Sequence, residues 1–394
     1  MKVDIKELEN FLDDHIQDLV DLRRELHKKA ELSGDEKKTA EFVIKVLKET
    51  NPDKIIENVG GCGVVAVYGE EESGPDFMIR AELDALPIPD SPDLEYASEN
   101  PDTGHKCGHD GHMTIVLGVA RWLGENKPPK GRVYLLFQPA EETGEGAARI
   151  LKDEKFSEIS PYMAMALHNL PGYPAHSVIV REGTFTSASV GIEMKLKGTS
   201  SHAGYPEDGR SPAAAMAQIV NMLPGIAAQE FPRSTNALIT IIHASVGKRA
   251  FGTTPGNAVV MATLRANSNE VLKEMKTHVL KRCRAIAESW GLTFSEDFVE
   301  PFDATINDDS CVDILTEAAE KLDLKIIRPD NPFPWSEDFG AFSQKFTGLL
   351  FCLGSGKEHP QLHHPDYDFP DELLQTGIKL FLLQLHKYWQ QAQN

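Results

Sequence analysis

The opening stretch MKVDIKELENFLDDHIQDLVDLRRELH sets apolar residues at helical spacing among charges and predicts an amphipathic helix. Short runs then alternate between strand and helix patterning: GVVAVYG at 63–69, DFMIRAEL at 76–83, a helix from about Gly111 to Glu125, GRVYLLFQ at 131–138, a helix through GAARILKD, and YMAMALH ending at His168. Such apolar runs, alternating with helical patterns, predict a layered α/β domain.

After about Ser187 the order changes. Strand patterns at 189–198, 236–245 and 257–266, helical patterns at 211–229 and 269–290, and a last strand from Leu292 give the sequence βαββαβ. That is the ferredoxin-like arrangement. From about 303 helix and strand alternate again, with GLLFCLG at 348–354 as a buried strand and a final amphipathic helix from about 371. At 394 residues the chain is too long for one ordinary core. The expected fold is an α/β catalytic domain with a mixed sheet, formed by residues 1–186 and 302–394 and interrupted by a ferredoxin-like α+β insertion at 187–301.

Composition adds exclusions. Hydrophobic residues at 41% and charged residues at 25% are those of a globular protein. A formal net charge of -20 argues against nucleic acid, which needs a cationic footprint. No run of eighteen apolar residues predicts a membrane span, and the first residues lack the basic start and apolar core of a secretory signal. The cysteines Cys62, Cys107, Cys283, Cys311 and Cys352 are odd in number and scattered, as free thiols in a reducing compartment would be. A cytoplasmic protein is the expectation.

Candidate chemistry falls at the predicted strand ends, where loops escape the core and ligands gather. Asp84 follows DFMIRAEL, Glu141 and Glu142 follow GRVYLLFQPA, His168 closes YMAMAL, and GSGKEHPQLHHPDYDF follows GLLFCL. The segment HKCGHDGHMT at 105–114 adds three histidines, a cysteine and an aspartate. Cys107 and His109 are two apart, on one side of an extended segment but on different sides of a helix, so they share a ligand only from a loop or strand. A helix starting after Asp110, with that aspartate as its cap, leaves them there. A structural zinc knot would need four closed ligands, usually with C-x2-C pairs, which the chain lacks. Adjacent carboxylates point apart in extended chain, so one of Glu141 and Glu142 is free to bind metal while the other meets water. Paired glutamates are ordinarily solvated charge, as in the acidic run at 70–72; this pair differs in following an apolar strand and a proline. His168 alone reads equally as a satisfied strand-end histidine, and chemistry does not choose among His359, His363 and His364. One thiolate, three imidazoles and a carboxylate would suit two borderline divalent ions, with zinc, manganese, cobalt or nickel permitted.

With these residues in place, the chain resembles the M20 metallopeptidase family, in its amidohydrolase branch of hippurate hydrolases, N-acyl-amino-acid deacetylases and indoleacetyl-amino-acid hydrolases. The resemblance is carried almost end to end by LRRELHKKAELSGDEKKTAEFV, IRAELDALPI, GHKCGHDGHMT, FQPAEETGEGA, LHNLPG, KGTSSHAGYPEDGRSPAAAMAQIV, TPGNAVVMATLR, SEDFGAF and LHHPDYDFPDE. It implies metal ligands at Cys107, His109, Glu142, His168 and His363, a general base at Glu141, and an orienting role for Asp84. It further implies that the inserted domain serves as a lid or dimerisation module, that His202 in SSHAGYP reaches the neighbouring subunit's site, and that Asn257 in TPGNAVV contacts substrate. From its residues alone His202 reads as a loop histidine and Asn257 as a turn residue. Three positions depart from the family pattern: Glu82 replaces an aspartate, Ala30 a common proline, and His364 an asparagine or serine.

The implied reaction is hydrolysis of N-acyl amino acids with two divalent ions, zinc or manganese in the first place. A metal-activated water attacks the acyl carbonyl, Glu141 takes its proton and passes it to the leaving amine, and a metal and His202 face the oxyanion. Two rivals are a thiol amidase using Cys107 with His109 or His168 as base, which leaves Glu141, Glu142 and His363 idle, and a non-catalytic metal-binding scaffold, which leaves Glu141 without purpose. The expected partners are a small N-acylated substrate and a second copy of the chain, with neither nucleic acid nor membrane.

Overall fold

The computed structural model describes residues 3–69, 74–91, 93–128 and 130–391. The acidic run at 70–72 lies outside the described residues. The chain forms two compact units: Met1–Phe185 with Thr305–Asn331 and Asp338–Asn394, and Thr186–Ala304 with Pro332–Glu337.

The first unit begins with α1 (Ile5–Lys28) and α2 (Lys37–Glu49), followed by β1 (Lys54–Val59), β2 (Gly63–Tyr68) and β3 (Phe77–Glu82). Then come α3 (His109–Glu125), β4 (Val133–Gln138), α4 (Gly146–Lys152), β5 (Met163–Leu170), β6 (Val178–Ile179) and β7 (Gly183–Thr186). Asp4 caps α1 by accepting from the Lys6 N–H at 2.9 Å, and Leu8, Leu12, Leu19, Leu22 and Leu26 supply its buried stripe. Helix α3 is different: it is buried along nearly its whole length, and its middle, Ile115 to Ala120, is accordingly apolar on every face.

The second unit holds β8 (Ala188–Lys197), α5 (Ala213–Glu230), β9 (Leu238–Val246), β10 (Asn257–Ala266), α6 (Asn269–Ser289) and β11 (Thr293–Phe302). Its four strands are antiparallel in the order β11-β8-β10-β9. Alternation explains its core: Val190, Ile192, Met194 and Leu196 of β8 and Val260, Ala262 and Leu264 of β10 are buried together with Ile219, Leu223, Met275, Val279 and Cys283 from the two helices. At the sheet edge, β9 exposes Leu238 and Ile242, and Phe251 in the following loop is fully exposed.

The chain returns to the first unit with β12 (Thr305–Asn307), α7 (Asp309–Lys321), β13 (Ile326–Ile327), α8 (Gly340–Ser343), β14 (Thr347–Gly354) and α9 (Leu373–Gln391). Its main sheet is eight-stranded, in the order β1-β2-β4-β3-β5-β14-β6-β13, and mixed. Four neighbours within it, β4, β3, β5 and β14, are mutually parallel, so their carboxyl ends share one edge. All four are buried, save for half-buried Thr347 at the start of β14, as parallel strands covered on both faces must be.

Two local expectations change. Helix α3 starts at His109, not Gly111, because Gly108 takes a left-handed φ of 89° and its carbonyl already accepts from the Gly111 and His112 N–H groups. Strand β5 continues two residues beyond His168, since β14 pairs with it through Leu170. Among the described residues no helix is long and apolar enough to cross a membrane.

Candidate metal centre

The common edge of β4, β3, β5 and β14 gathers side chains from distant parts of the chain. Potential ligand atoms of Cys107, His109 and His168 lie within 4.8 Å of one another, as do those of Cys107, Glu142 and His363, and those of His109, Glu141 and Glu142. Cys107 and His109 converge even though His109 opens a helix, because left-handed Gly108 turns the chain between them. A Cβ at Gly108 would collide with the Asn169 side chain. Asn169 in turn holds this turn by donating to the Cys107 carbonyl at 2.7 Å.

Hydrogen bonds fix the tautomers of two imidazoles. His109 Nδ1 lies 2.8 Å from the Asp84 carbonyl and His168 Nδ1 lies 2.7 Å from the Asn169 carbonyl. A carbonyl only accepts, so each Nδ1 carries the proton and each Nε2 presents a lone pair, the usual arrangement behind a metal-ligating histidine. His168 Nε2 faces Cys107 Sγ at 3.4 Å. His109 Nε2 is buried with no hydrogen-bond partner.

Glu141 and Glu142 differ from expectation. They lie on a turn instead of extended chain, and both reach the same nitrogen: Glu141 Oε2 is 3.8 Å and Glu142 Oε1 3.9 Å from His109 Nε2. The cause is Ala140, which has a left-handed φ of 53° and folds the chain back so that its carbonyl accepts from Gly146 N–H at 3.0 Å. Asp84 Oδ2 braces the turn by accepting from Glu142 N–H at 3.0 Å, while also accepting from Ser33 Oγ at 2.6 Å.

Of the three clustered histidines, His363 alone approaches this group, with Nε2 3.8 Å from Glu142 Oε2. His359 is engaged with the Asp368 carbonyl at 2.7 Å, and His364 accepts from Asp366 N–H at 3.1 Å. His363 has a left-handed φ of 65°, and its N–H donates to the Lys106 carbonyl at 2.8 Å. The loop carrying it is thereby tied to the Cys107 segment.

Asp110 is not the cap of α3; that position belongs to Gly108, which has no side chain to offer. The aspartate instead anchors α1 to the Cys107–His109 turn, pairing with His27 at 2.8 Å and Arg23 at 3.2 Å. Arg23 also binds Asp368 and Asp371, and Lys106 pairs with Asp90 at 2.5 Å. Sequence reading singled out none of these basic partners, because nothing in α1 distinguishes a buried Arg23 from solvated neighbours. It also left Glu82 open. Its extra methylene is used: Glu82 accepts from His112 Nδ1 at 2.7 Å and from Arg80, while His112 Nε2 accepts from Asn169 N–H at 3.1 Å. Both nitrogens of His112 are therefore occupied.

Burial, followed by Glu142 and Glu141, pushes the Cys107 thiol well above its ordinary pKa. Burial and neighbouring histidines hold His168 well below, and burial with His109 lowers His363. Burial opposes the Asp84 carboxylate, but His109, Ser33 and the Glu142 N–H keep it below the usual range. Burial opposes a charged His109, but Asp84 and Glu142 outweigh it and raise its pKa; carboxylates, imidazoles and a thiol thus face one another with little positive charge among them. A divalent cation fits this donor set, and the buried lone pair of His109 Nε2 marks where one ligand would bind it.

His202 and Asn257 belong to the second unit. His202 is exposed, forms an isolated bridge with Thr253, and accepts from Gly204 N–H at 3.1 Å through Nδ1. Asn257 opens β10, opposite Lys197 of β8, and is exposed.

Residues 78–387 match Peptidase family M20/M25/M40. An N-acetyl-L-cysteine deacetylase of Bacillus subtilis (strain 168) is 30% identical over 94% of this chain and 87% of its own. A hippurate hydrolase of Campylobacter jejuni is 29% identical, covering 93% of this chain and 95% of its own. Among solved structures, a dinuclear metal-binding peptidase of family M20 from Bacillus subtilis superposes with a TM-score of 0.81 at 26% identity, over 96% of this chain and 99% of that one. A strand-edge centre of this composition on this fold defines a metal-dependent hydrolase of amide bonds. The chain belongs to the M20 peptidase family, in its amidohydrolase branch. That removes the non-catalytic scaffold from consideration.

Proposed function

We propose that the protein hydrolyses N-acyl amino acids, with Glu141 as general base and Cys107, His109, Glu142, His168 and His363 holding two divalent ions, zinc or manganese before cobalt or nickel. The observation that carries this reading is the turn at Ala140, which brings two adjacent carboxylates within 4 Å of one buried imidazole nitrogen. Only one of them is needed as a ligand. The other would be left free for proton transfer.

Bound ions would supply Lewis acidity, lowering the pKa of water and polarising the acyl carbonyl. Glu141, 5% exposed, would accept the proton of the attacking water in a largely desolvated setting. When the C–N bond breaks, the same carboxyl returns that proton to the departing nitrogen. One amide and one water thus become a carboxylic acid and an amine. Asp84 orients His109 through its carbonyl and fixes Glu142 through its carboxylate.

The substrate class is supported by the N-acetyl-L-cysteine and hippurate of the relatives' names. A thiol-nucleophile route is disfavoured because a reactive cysteine needs a lowered pKa and burial drives Cys107 upward. We further propose a homodimer through the second unit, with His202 and Asn257 as contributors to oxyanion stabilisation and substrate binding. The exposed apolar side chains on edge strand β9 support such a contact. All five cysteines are free, which favours the cytoplasm.

The deciding experiment loads metal-free protein in turn with zinc, manganese and cobalt and screens N-acetyl, N-benzoyl and longer N-acyl amino acids, with free-amine dipeptides alongside, for amino acid release. Turnover of at least one class, abolished by chelation and restored by metal, is the expected result. Turnover confined to peptides with a free amino terminus would overturn the substrate assignment.

A further inference from the structure

Glu36, just before α2, is 0% exposed although it is a carboxylic acid remote in sequence from every candidate ligand. Its Oε1 accepts from the backbone N–H of Ala140 at 2.8 Å and from that of Gly34 at 2.7 Å. Ala140 is the left-handed residue on which the Glu141–Glu142 turn depends, and a residue bearing a Cβ enters that conformation only when its surroundings impose it. Two carboxylates therefore grip the backbone on either side of Glu141: Glu36 at the preceding N–H and Asp84 at the following one. Glu36 Oε2, by contrast, is buried with no hydrogen-bond partner. A structural role for α2 alone would not require so costly a placement, since α2 receives no side-chain cap from Glu36.

We infer that Glu36 is a positioning residue for hydrolysis, holding Ala140 in its left-handed conformation so that Glu141 is aimed at the metal centre. The inference rests on the reading of Glu141 as general base. Glu36 touches no reacting atom. Its effect on Glu141 passes through the Ala140 N–H, and this gives it a distinctive signature. Glutamine retains an acceptor oxygen at the same reach, so Glu36→Gln should keep turnover near that of the native protein. Glu36→Ala removes the acceptor and should lower kcat at least tenfold, with KM and metal content little changed. Glycine adopts positive φ without a Cβ penalty, so Ala140→Gly should recover part of the loss in the Glu36→Ala background.

The test measures kcat, KM and metal content for these variants, with hydrogen exchange at the Ala140 N–H, which should quicken in Glu36→Ala. Glu36→Asp, too short to reach Ala140, takes the place of Glu36→Ala should the latter fail to fold. Glu141→Gln is assayed alone and combined with Glu36→Ala. If Glu36 acts through Glu141, the combined variant is no slower than Glu141→Gln. Multiplying losses would overturn the positioning role, as would native kcat in folded Glu36→Ala, or equal losses in Glu36→Ala and Glu36→Gln. Native turnover in Glu141→Gln would instead remove the general base beneath it, a result separable from all three.

Discussion

His27 and Asp110 stand 83 residues apart in the chain and 2.8 Å apart in the fold, both wholly buried. Burial opposes a charged His27, but Asp110 and Asp90 outweigh it and raise its pKa from 6.5 to about 9. A raised folded-state pKa gives stability that is fully present below pH 6.5 and lost as the pH climbs through about 9. Within that window the native protein holds up to one more proton than the unfolded chain. The unfolding free energy should fall by up to about 1.4 kcal/mol per pH unit from this group. Urea unfolding of native and His27→Gln protein at constant metal content checks it: the variant should be less stable near pH 6.5, with the difference shrinking towards pH 9. Parallel profiles would mean that His27 is neutral in the fold.

Glu141→Gln should retain its metal and lose turnover. The amide matches the carboxylate in shape but accepts no proton, so the expected loss is about a hundredfold or more. Metal analysis alongside steady-state kinetics decides the matter. Near-native activity at native metal content would move the base elsewhere.

The fold class was legible because β2, β3, β4, β5 and β14 are short apolar runs, with helical periodicity between most of them. The chemistry was legible because polar residues followed those runs. What stayed hidden depends on backbone geometry that no side-chain pattern reports. Ala140 at positive φ cannot be anticipated from an alanine after a proline, so the convergence of Glu141 and Glu142 on His109 was missed. Glu36 lay in the quoted segment ELSGDEKKT, yet its acceptor role depends on a peptide group 104 residues away. The role of Glu82 was hidden in the same way, since His112 of α3 meets it only once β3 and α3 are packed, beside Arg80 two residues away.

Cys107→Ser should weaken metal binding, because a serine hydroxyl stays protonated at neutral pH whereas a coordinating thiol is deprotonated. Cys107 belongs to two of the potential ligand groups, so both would be affected. Competition with a chromogenic chelator would show a lower affinity and fewer ions retained. Full metal and full rate would remove Cys107 from the ligand set. Full metal with no activity would restore the thiol as nucleophile.

The final prediction concerns the second unit and tests the cross-subunit proposal. His202 is exposed on a loop of that unit, and its Nδ1 is already engaged with Gly204 N–H. If two copies associate through this unit and the partner subunit's His202 faces the oxyanion, His202→Ala should lower kcat sharply without altering metal content. Loss of one preorganised oxyanion donor costs about a hundredfold to a thousandfold. Each His202→Ala subunit retains Glu141, and each Glu141→Gln subunit retains His202. A mixed dimer of the two therefore contains one site with both groups intact, and mixing the inactive proteins should recover activity towards a quarter of the native value, given half of the dimers mixed and one of two sites active. Subunit exchange, followed by co-purification of differently tagged chains, must accompany the recovery. Confirmed mixed dimers without recovery would place His202 in the service of its own chain. A fully active monomer would end the cross-subunit mechanism altogether.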